Sequence, residues 1–511
     1  MMRRGVITVY LSLVFMLLVS LILVLLESAR VYMIGTMSER YADMAAEMVF
    51  AGYVRPLAEQ YDLLAIDTGK DQQNLENFQK YLELNLENGG DSQRAMNMYG
   101  QVEMKEVKEV LSMKDNHWES LKKQVVMYEK LMTVSKGLNS IQNLIGGLQE
   151  TGVNEKTQDY LGKLESKGEA LEKAESEKKN TETDVEETEQ ELPEMTDPRK
   201  GIAGWLKSGV LNLVMGNKAV SGRTIDTSSC SWHTSSTSSS KLMDNFERYR
   251  DVTGYVKNQE ILTQIKNGIQ DQGDQLMLDL YIGDKFLSMR GSSVSGDNKN
   301  RTALKYEYEY ILFGKESDRE NLENAVTAIC TLRTFLNLIY LYTSPDKGEV
   351  LQAAVEAMSL MSALPVAGEV LKLLLMACWS AAEAVVDCAG LAEGGKVPLM
   401  KDQSSWNLSM NQLLNVAKGG ARASDYFNDT GKGLDYDQYL MIFMLLTSSE
   451  KKLIRMSQLI ECNIRLVDGY KDFALSRCAV QAEFSGSVKI GSHFFGHPIE
   501  IKHPFDVVYG Y

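Results

Sequence analysis

The sequence predicts an α+β fold, predominantly helical. A long N-terminal transmembrane helix projects into an extracytoplasmic domain that carries small antiparallel sheet elements and a long, partly coiled-coil-like helix. Three observations lead there. An uncharged apolar run fills Val6 to Leu26, apolar residues recur at threes and fours through most of the rest, and a few short stretches alternate with period two.

The apolar run comes first. At ~1.5 Å per helical residue its 21 positions span roughly 30 Å, the thickness of a bilayer's hydrocarbon core. A secretory signal has a shorter apolar region followed by small residues at a cleavage site. Here Glu27 stands where the first small residue of a site ending at Ala29 is needed, so an uncut anchor is expected. Arg3 and Arg4 precede the run, whereas the far flank mixes Glu27 and Arg30 without a basic cluster. Positive charge stays on the cytoplasmic side. The expectation is a cytoplasmic stub at 1–5, a single span at 6–27 in the cell membrane, and the bulk of the chain outside.

Helical spacing continues through Met33, Met37, Arg40, Met44 and Met48, with no proline before Pro56 and Gly35 as the one weak point. One helix of about 50 residues follows. YDLLAID (Tyr61–Asp67) reads as a short strand, Gln72–Leu86 as an amphipathic helix, and QVEMKEVKEVLSM from Gln101 as a strand with one solvated face. From Trp118 a long helix carries Leu121, Val125, Tyr128, Met132, Leu138, Ile141, Ile145 and Leu148 at near-heptad spacing. That stripe suits a partner helix or the chain's own core.

Tyr160–Glu194 is dominated by Glu and Lys, the composition of a solvated helix or spacer. Thr224–Lys241 is rich in Ser and Thr and reads as a linker between a region at 28–223 and a helical domain at 242–477. In that domain LKYEYEYILFGK (Leu304–Lys315) sets tyrosines against Lys and Glu and predicts a strand. Helices are expected over Asp318–Tyr342, Lys347–Leu360 and Ala367–Ala392. Although the last contains LLLMACWSAA, it also holds Glu369, Lys372, Glu383 and Asp387, so it reads as a buried core helix rather than a second span. Asp435 with Gln438 forms a capping-box pattern before LMIFMLL, and 478–511 alternates as terminal strands.

Composition limits function. A formal charge of -15 argues against nucleic acid, which is bound through basic patches. Six cysteines without a C-x-x-C pair support neither a zinc ribbon nor a thioredoxin-like site; they read as buried thiols, with any disulfide pairing left open. His493 and His497 lie in SHFFGHPIEIKH and are the candidates for a metal. Gly496 and Pro498, however, oppose the helix that would bring both imidazoles to one face. DYFNDTGKGLDYD matches an EF-hand in neither glycine register, and no phosphate loop or nucleophile elbow occurs. No cofactor and no catalytic residue is assigned.

RGVITVYLSLVFMLLVSLILVLLESAR, LKYEYEYILFGKESDRENL and LDYDQYLMIFMLL together resemble an uncharacterised family of anchored surface proteins of Gram-positive anaerobes. The N-terminus is in turn similar to pseudopilins of the tight-adherence (Flp) pilus system. That resemblance implies a membrane-held helix carrying an outer domain, with envelope or pilus-assembly proteins, or further copies of the chain, as partners. It departs from a prepilin start in one respect: the fifth residue after Gly5 is Tyr10 rather than glutamate. The expected function is therefore that of a non-enzymatic, single-pass envelope protein supporting a pilus-like apparatus. A metal-dependent hydrolase using the histidine tail and a sensor acting through a membrane partner are the alternatives.

Overall fold

A computed structural model describes residues 2–69, 73–87, 99–136, 209–230, 273–291, 302–361, 368–417, 422–494 and 497–511. They fall into two units, one formed by 1–124 with 469–511 and the other by 125–468.

The first unit is built on helix α1 (Met2–Phe50), followed by α2 (Arg55–Tyr61), β1 (Ile66–Asp67), α3 (Gln73–Glu87) and β2 (Tyr99–Ser112). Its remaining strands come from the far end of the chain, β3 (Cys478–Phe494) and β4 (His497–Gly510). β3 lies between β2 and β4, all pairings are antiparallel, and β1 pairs with the start of β3 through Ile66 and Ala479. Along β2 and β3 the register shifts three times, each shift adding local twist. α1 lays Ile34, Ala42, Ala45, Ala46, Val49 and Phe50 into a core with Leu75, Phe78 and Leu82 of α3 and Phe484, Val488, Phe505 and Val507 of the sheet. The small alanines let α1 approach closely. Phe78 stacks on Phe484 with ring centroids 4.3 Å apart, and the Tyr511 hydroxyl donates to the carbonyl of Phe50, closing the chain's end onto α1.

Gly35, the apparent weak point of α1, is a place of contact. A Cβ there would stand 2.7 Å from Nε2 of His503 on β4. We expect Gly35→Leu to destabilise the unit by about 2 kcal/mol despite the better helix propensity of leucine. Urea unfolding of Gly35→Leu with and without His503→Ala checks this: the second change should recover most of the loss. Equal losses in both backgrounds would show that the close approach is not what requires glycine.

The second unit contains the C-terminal part of α4 (Asp115–Lys136), then α5 (Val210–Met215), α6 (Gly273–Lys285), α7 (Glu307–Phe313), α8 (Asp318–Thr343), α9 (Pro345–Met361), α10 (Gly368–Glu393), α11 (Met410–Ala417), α12 (Tyr436–Leu446) and α13 (Ser449–Arg465). α8 and α10 are the central buried pair. The expected capping box holds α12, with the Asp435 carboxylate accepting from the Gln438 N–H at 2.9 Å and the Gln438 amide oxygen accepting from the Asp435 N–H at 3.0 Å.

Two expectations are corrected. Leu304–Lys315 is not a strand, because Glu307–Phe313 is a helix buried on every side. The period-two reading assumed that Glu307 and Glu309 face water, yet each accepts a backbone N–H, from Leu287 at 3.0 Å and Met289 at 2.9 Å. Upstream, the Asp318 carboxylate accepts the N–H groups of Lys305 and Tyr306 and holds the start of α7. The strand expected over Tyr61–Asp67 shortens to Ile66–Asp67, since Pro56 opens a helix that reaches Tyr61 and ends at Asp62 in a left-handed conformation. At the start of the Ser/Thr-rich stretch the backbone finds partners in the second unit. Thr224 bridges Ser317, and Ile225 is buried with its N–H on the carbonyl of Glu316. A Ser/Thr-rich composition measures how little core a segment supplies, not whether its backbone finds partners. The Glu/Lys-rich segment and the rest of the Ser/Thr-rich stretch lie outside the described residues.

Candidate functional site

Two features stand out: the outer face of α1 and a buried polar cluster in the second unit.

From Ile7 to Leu26 every residue of α1 is exposed, whereas Ile34 a few positions on is completely buried. An apolar helix with no protein around it is stable where lipid supplies the cover. Its two serine hydroxyls are satisfied within the helix, Ser12 donating to the Val9 carbonyl at 2.8 Å and Ser20 to that of Leu17 at 2.9 Å, so neither brings an unpaired donor into the apolar surface. The first charges after the run, Glu27 and Arg30, pair at 2.7 Å across one turn. Beyond them Tyr32 is 80% exposed, suited to a membrane–water interface. Arg3, Arg4 and Val6 lie on the same helix; their side chains are outside the described residues. Past Tyr32, α1 turns its small and branched residues to the sheet and leaves Met33, Met44 and Met48 exposed.

Among the described residues, two other helical stretches are long and apolar enough to cross a membrane, Asp318–Thr343 and Leu375–Glu393, but their apolar windows are 83% and 100% buried within the protein. They are core helices, and their charges explain how. Arg333 of α8 donates from Nε to Asp387 of α10 at 3.1 Å. Its Nη1 donates to the carbonyls of Pro398 and Leu399, and its Nη2 to Asn337. Lys401 reaches both Glu383 and Asp387, the latter at 2.6 Å. Glu383 also accepts the N–H groups of Asn407 and Leu408, each at 2.8 Å. All four charged groups are at most 1% exposed and the cluster is neutral. Burial pushes the Glu383 carboxyl upward in pKa while Lys401 opposes it. At its rim Lys347 lies 5.0 and 5.1 Å from the rings of Trp379 and Trp406. These contacts join α8, α10 and the segment after α10 in one register.

The predicted pairing stripe divides. Leu121 and Val125 are completely buried. Tyr128 sets its ring edge-on to Tyr281 at 5.8 Å, and its hydroxyl accepts from Lys285 at 2.9 Å. These residues pack on the chain itself. Met132 is half-buried, whereas Leu138, Ile141, Ile145 and Leu148 lie outside the described residues. His493 and His497 sit at the closed end of the β3–β4 hairpin, paired in register with Pro498 and Phe494; their side chains are outside the described residues. Among the described residues, no group of three or more His, Cys, Asp or Glu could hold a metal ion.

Glu383 and Asp387 were visible in sequence as charges that disqualify a membrane span. Their partners were not, because Arg333 is 54 residues from Asp387 and nothing local pairs them.

The model of a family of unknown function (DUF5702) matches residues 187–490, more than half of the chain, and the chain belongs to that family. The match takes in the cluster, all of the second unit from α5 onward, and most of β3. No curated protein and no solved structure matches the chain.

Proposed function

We propose that this member of DUF5702 is a non-enzymatic, single-pass membrane protein whose outer units serve as a structural or assembly component of a pilus-like envelope apparatus. One observation carries the anchoring: the stretch from Ile7 to Leu26 is uncovered on a helix whose continuation is clamped by a sheet. Arg3 and Arg4 on the near flank support a cytoplasmic N-terminus. The assembly role rests on the pseudopilin-like character of α1 and on its exposed methionines, which suit a neighbouring apolar helix because thioether side chains adapt to the surface they meet.

Membrane fractionation and protease shaving of protoplasts test the anchor. Full-length protein should resist carbonate extraction and lose everything beyond Arg30 to external protease, while a variant lacking residues 2–26 should be released as a folded soluble product. Extraction of the full-length protein by carbonate overturns the anchor. A photo-crosslinking residue at Met44 tests assembly: adducts with other single-span envelope proteins or a second copy are expected, and their absence removes the assembly role while leaving the anchor standing.

A further inference from the structure

Two cysteines far apart in sequence meet at the edge of the second unit. Cys230 and Cys462 place their sulfurs 3.5 Å apart across 232 positions. Both backbones are held by contacts that do not involve sulfur. Cys462 lies on α13. Cys230 ends a segment fixed by the Thr224–Ser317 bridge, the Ile225 N–H on Glu316 and its own N–H on the Thr227 carbonyl. Arg465, one turn after Cys462, grips the preceding residue, donating to the Ser229 hydroxyl at 3.0 Å and to its carbonyl at 3.1 Å. Cys230, Cys330, Cys378, Cys388 and Cys478 are buried, whereas Cys462 retains solvent exposure. The pair therefore combines proximity and fixed backbones with access at Cys462.

We propose that Cys230 and Cys462 are a disulfide-forming site, oxidised by exchange with an external disulfide, either a small-molecule disulfide or an exposed disulfide of an oxidoreductase. The Cys462 thiolate attacks the external disulfide and releases one thiolate, leaving a mixed disulfide on Cys462. Cys230 then loses its proton to the released thiolate, and its sulfur attacks that of Cys462 and expels the second external thiolate, which takes up the proton of Cys462 from solvent. Two protein thiols are oxidised and one disulfide is reduced to two thiols. The division of roles follows from the surroundings. The contact with Cys230 lowers the pKa of Cys462, with Arg465 acting in the same sense, while the same contact and burial raise that of Cys230.

The crosslink would fasten the start of the Ser/Thr-rich stretch to α13 and close a loop that takes in most of the second unit. It goes beyond the proposed function, because the sulfur geometry is independent of where the protein resides.

Full-length protein purified in detergent, equilibrated in oxidised and in reduced dithiothreitol, is alkylated and mapped by mass spectrometry. A single Cys230–Cys462 crosslink is expected in oxidising buffer, with a melting temperature about 5–10 °C above that of the reduced form. Cys462→Ser and Cys230→Ser should each abolish both crosslink and shift, and Cys330→Ser should abolish neither. Free thiols at both positions after oxidation, or a crosslink that lowers the melting temperature, would overturn the proposal. An anchor that fails shows instead as carbonate-extractable protein with this crosslink intact.

Discussion

Asp387→Ala should cost the second unit about 3–5 kcal/mol, the loss expected when one partner of a buried ion pair is removed. The carboxylate serves Arg333, Lys401, Asn337 and Asn407 together. Its removal leaves two cations facing Glu383 alone where water does not reach. Asp387→Asn keeps much of the volume and part of the hydrogen bonding but not the charge, so comparing the two separates electrostatics from packing. Urea unfolding of each is the measurement. The charge argument predicts that Asn recovers less than half of the loss; full recovery would reduce the cluster to a hydrogen-bond network.

Stability should fall as pH rises from about 5 to 8, against the usual trend set by paired carboxylates. Glu307 and Glu309 are completely buried, and burial pushes both carboxyls up to about 7, with N–H donors from Leu287 and Met289, the Asn463 amide and the Tyr436 hydroxyl opposing it. Asp279 is pushed up to about 6 by burial, with Lys452 opposing. In the folded state these groups hold protons that the unfolded chain releases near pH 4 to 4.5. Between those values and their folded pKa the native state binds more protons, so their contribution is complete below pH 4 and lost as pH rises through 7. Each glutamate contributes roughly 3 kcal/mol at most over that window. Thermal melts across the pH range measure this. In Glu307→Gln with Glu309→Gln the melting temperature should lose most of its slope between pH 5 and 8. A double variant as pH-dependent as the parent would place the titrating groups elsewhere.

The same pair shows where sequence reasoning stops. YEYEY alternates, and alternation with charges signals a half-solvated strand only if the charges reach solvent. Whether they do depends on Leu287, Met289, Asn463 and Tyr436 arriving from other elements, and no local pattern records that. The stripe from Leu121 is similar: its spacing was legible, but heptad spacing is common to a partner-facing helix and a core-facing one. Tyr281 and Lys285, far along the chain, cover it at Tyr128.

The sequence by itself determined the helix through Phe50, the uncovered apolar run from Ile7 to Leu26, the capping box at Asp435 and Gln438, and the predominantly helical α+β class. Each rests on contacts within a few residues or on transfer to a uniform apolar solvent, quantities that local composition and period contain. Tertiary structure alone decided that the chain's last strands sheath α1, that glycine at position 35 makes room for His503, and which distant cations neutralise Glu383 and Asp387. These depend on groups brought together across tens to hundreds of residues, where spacing along the chain carries no information about distance in space.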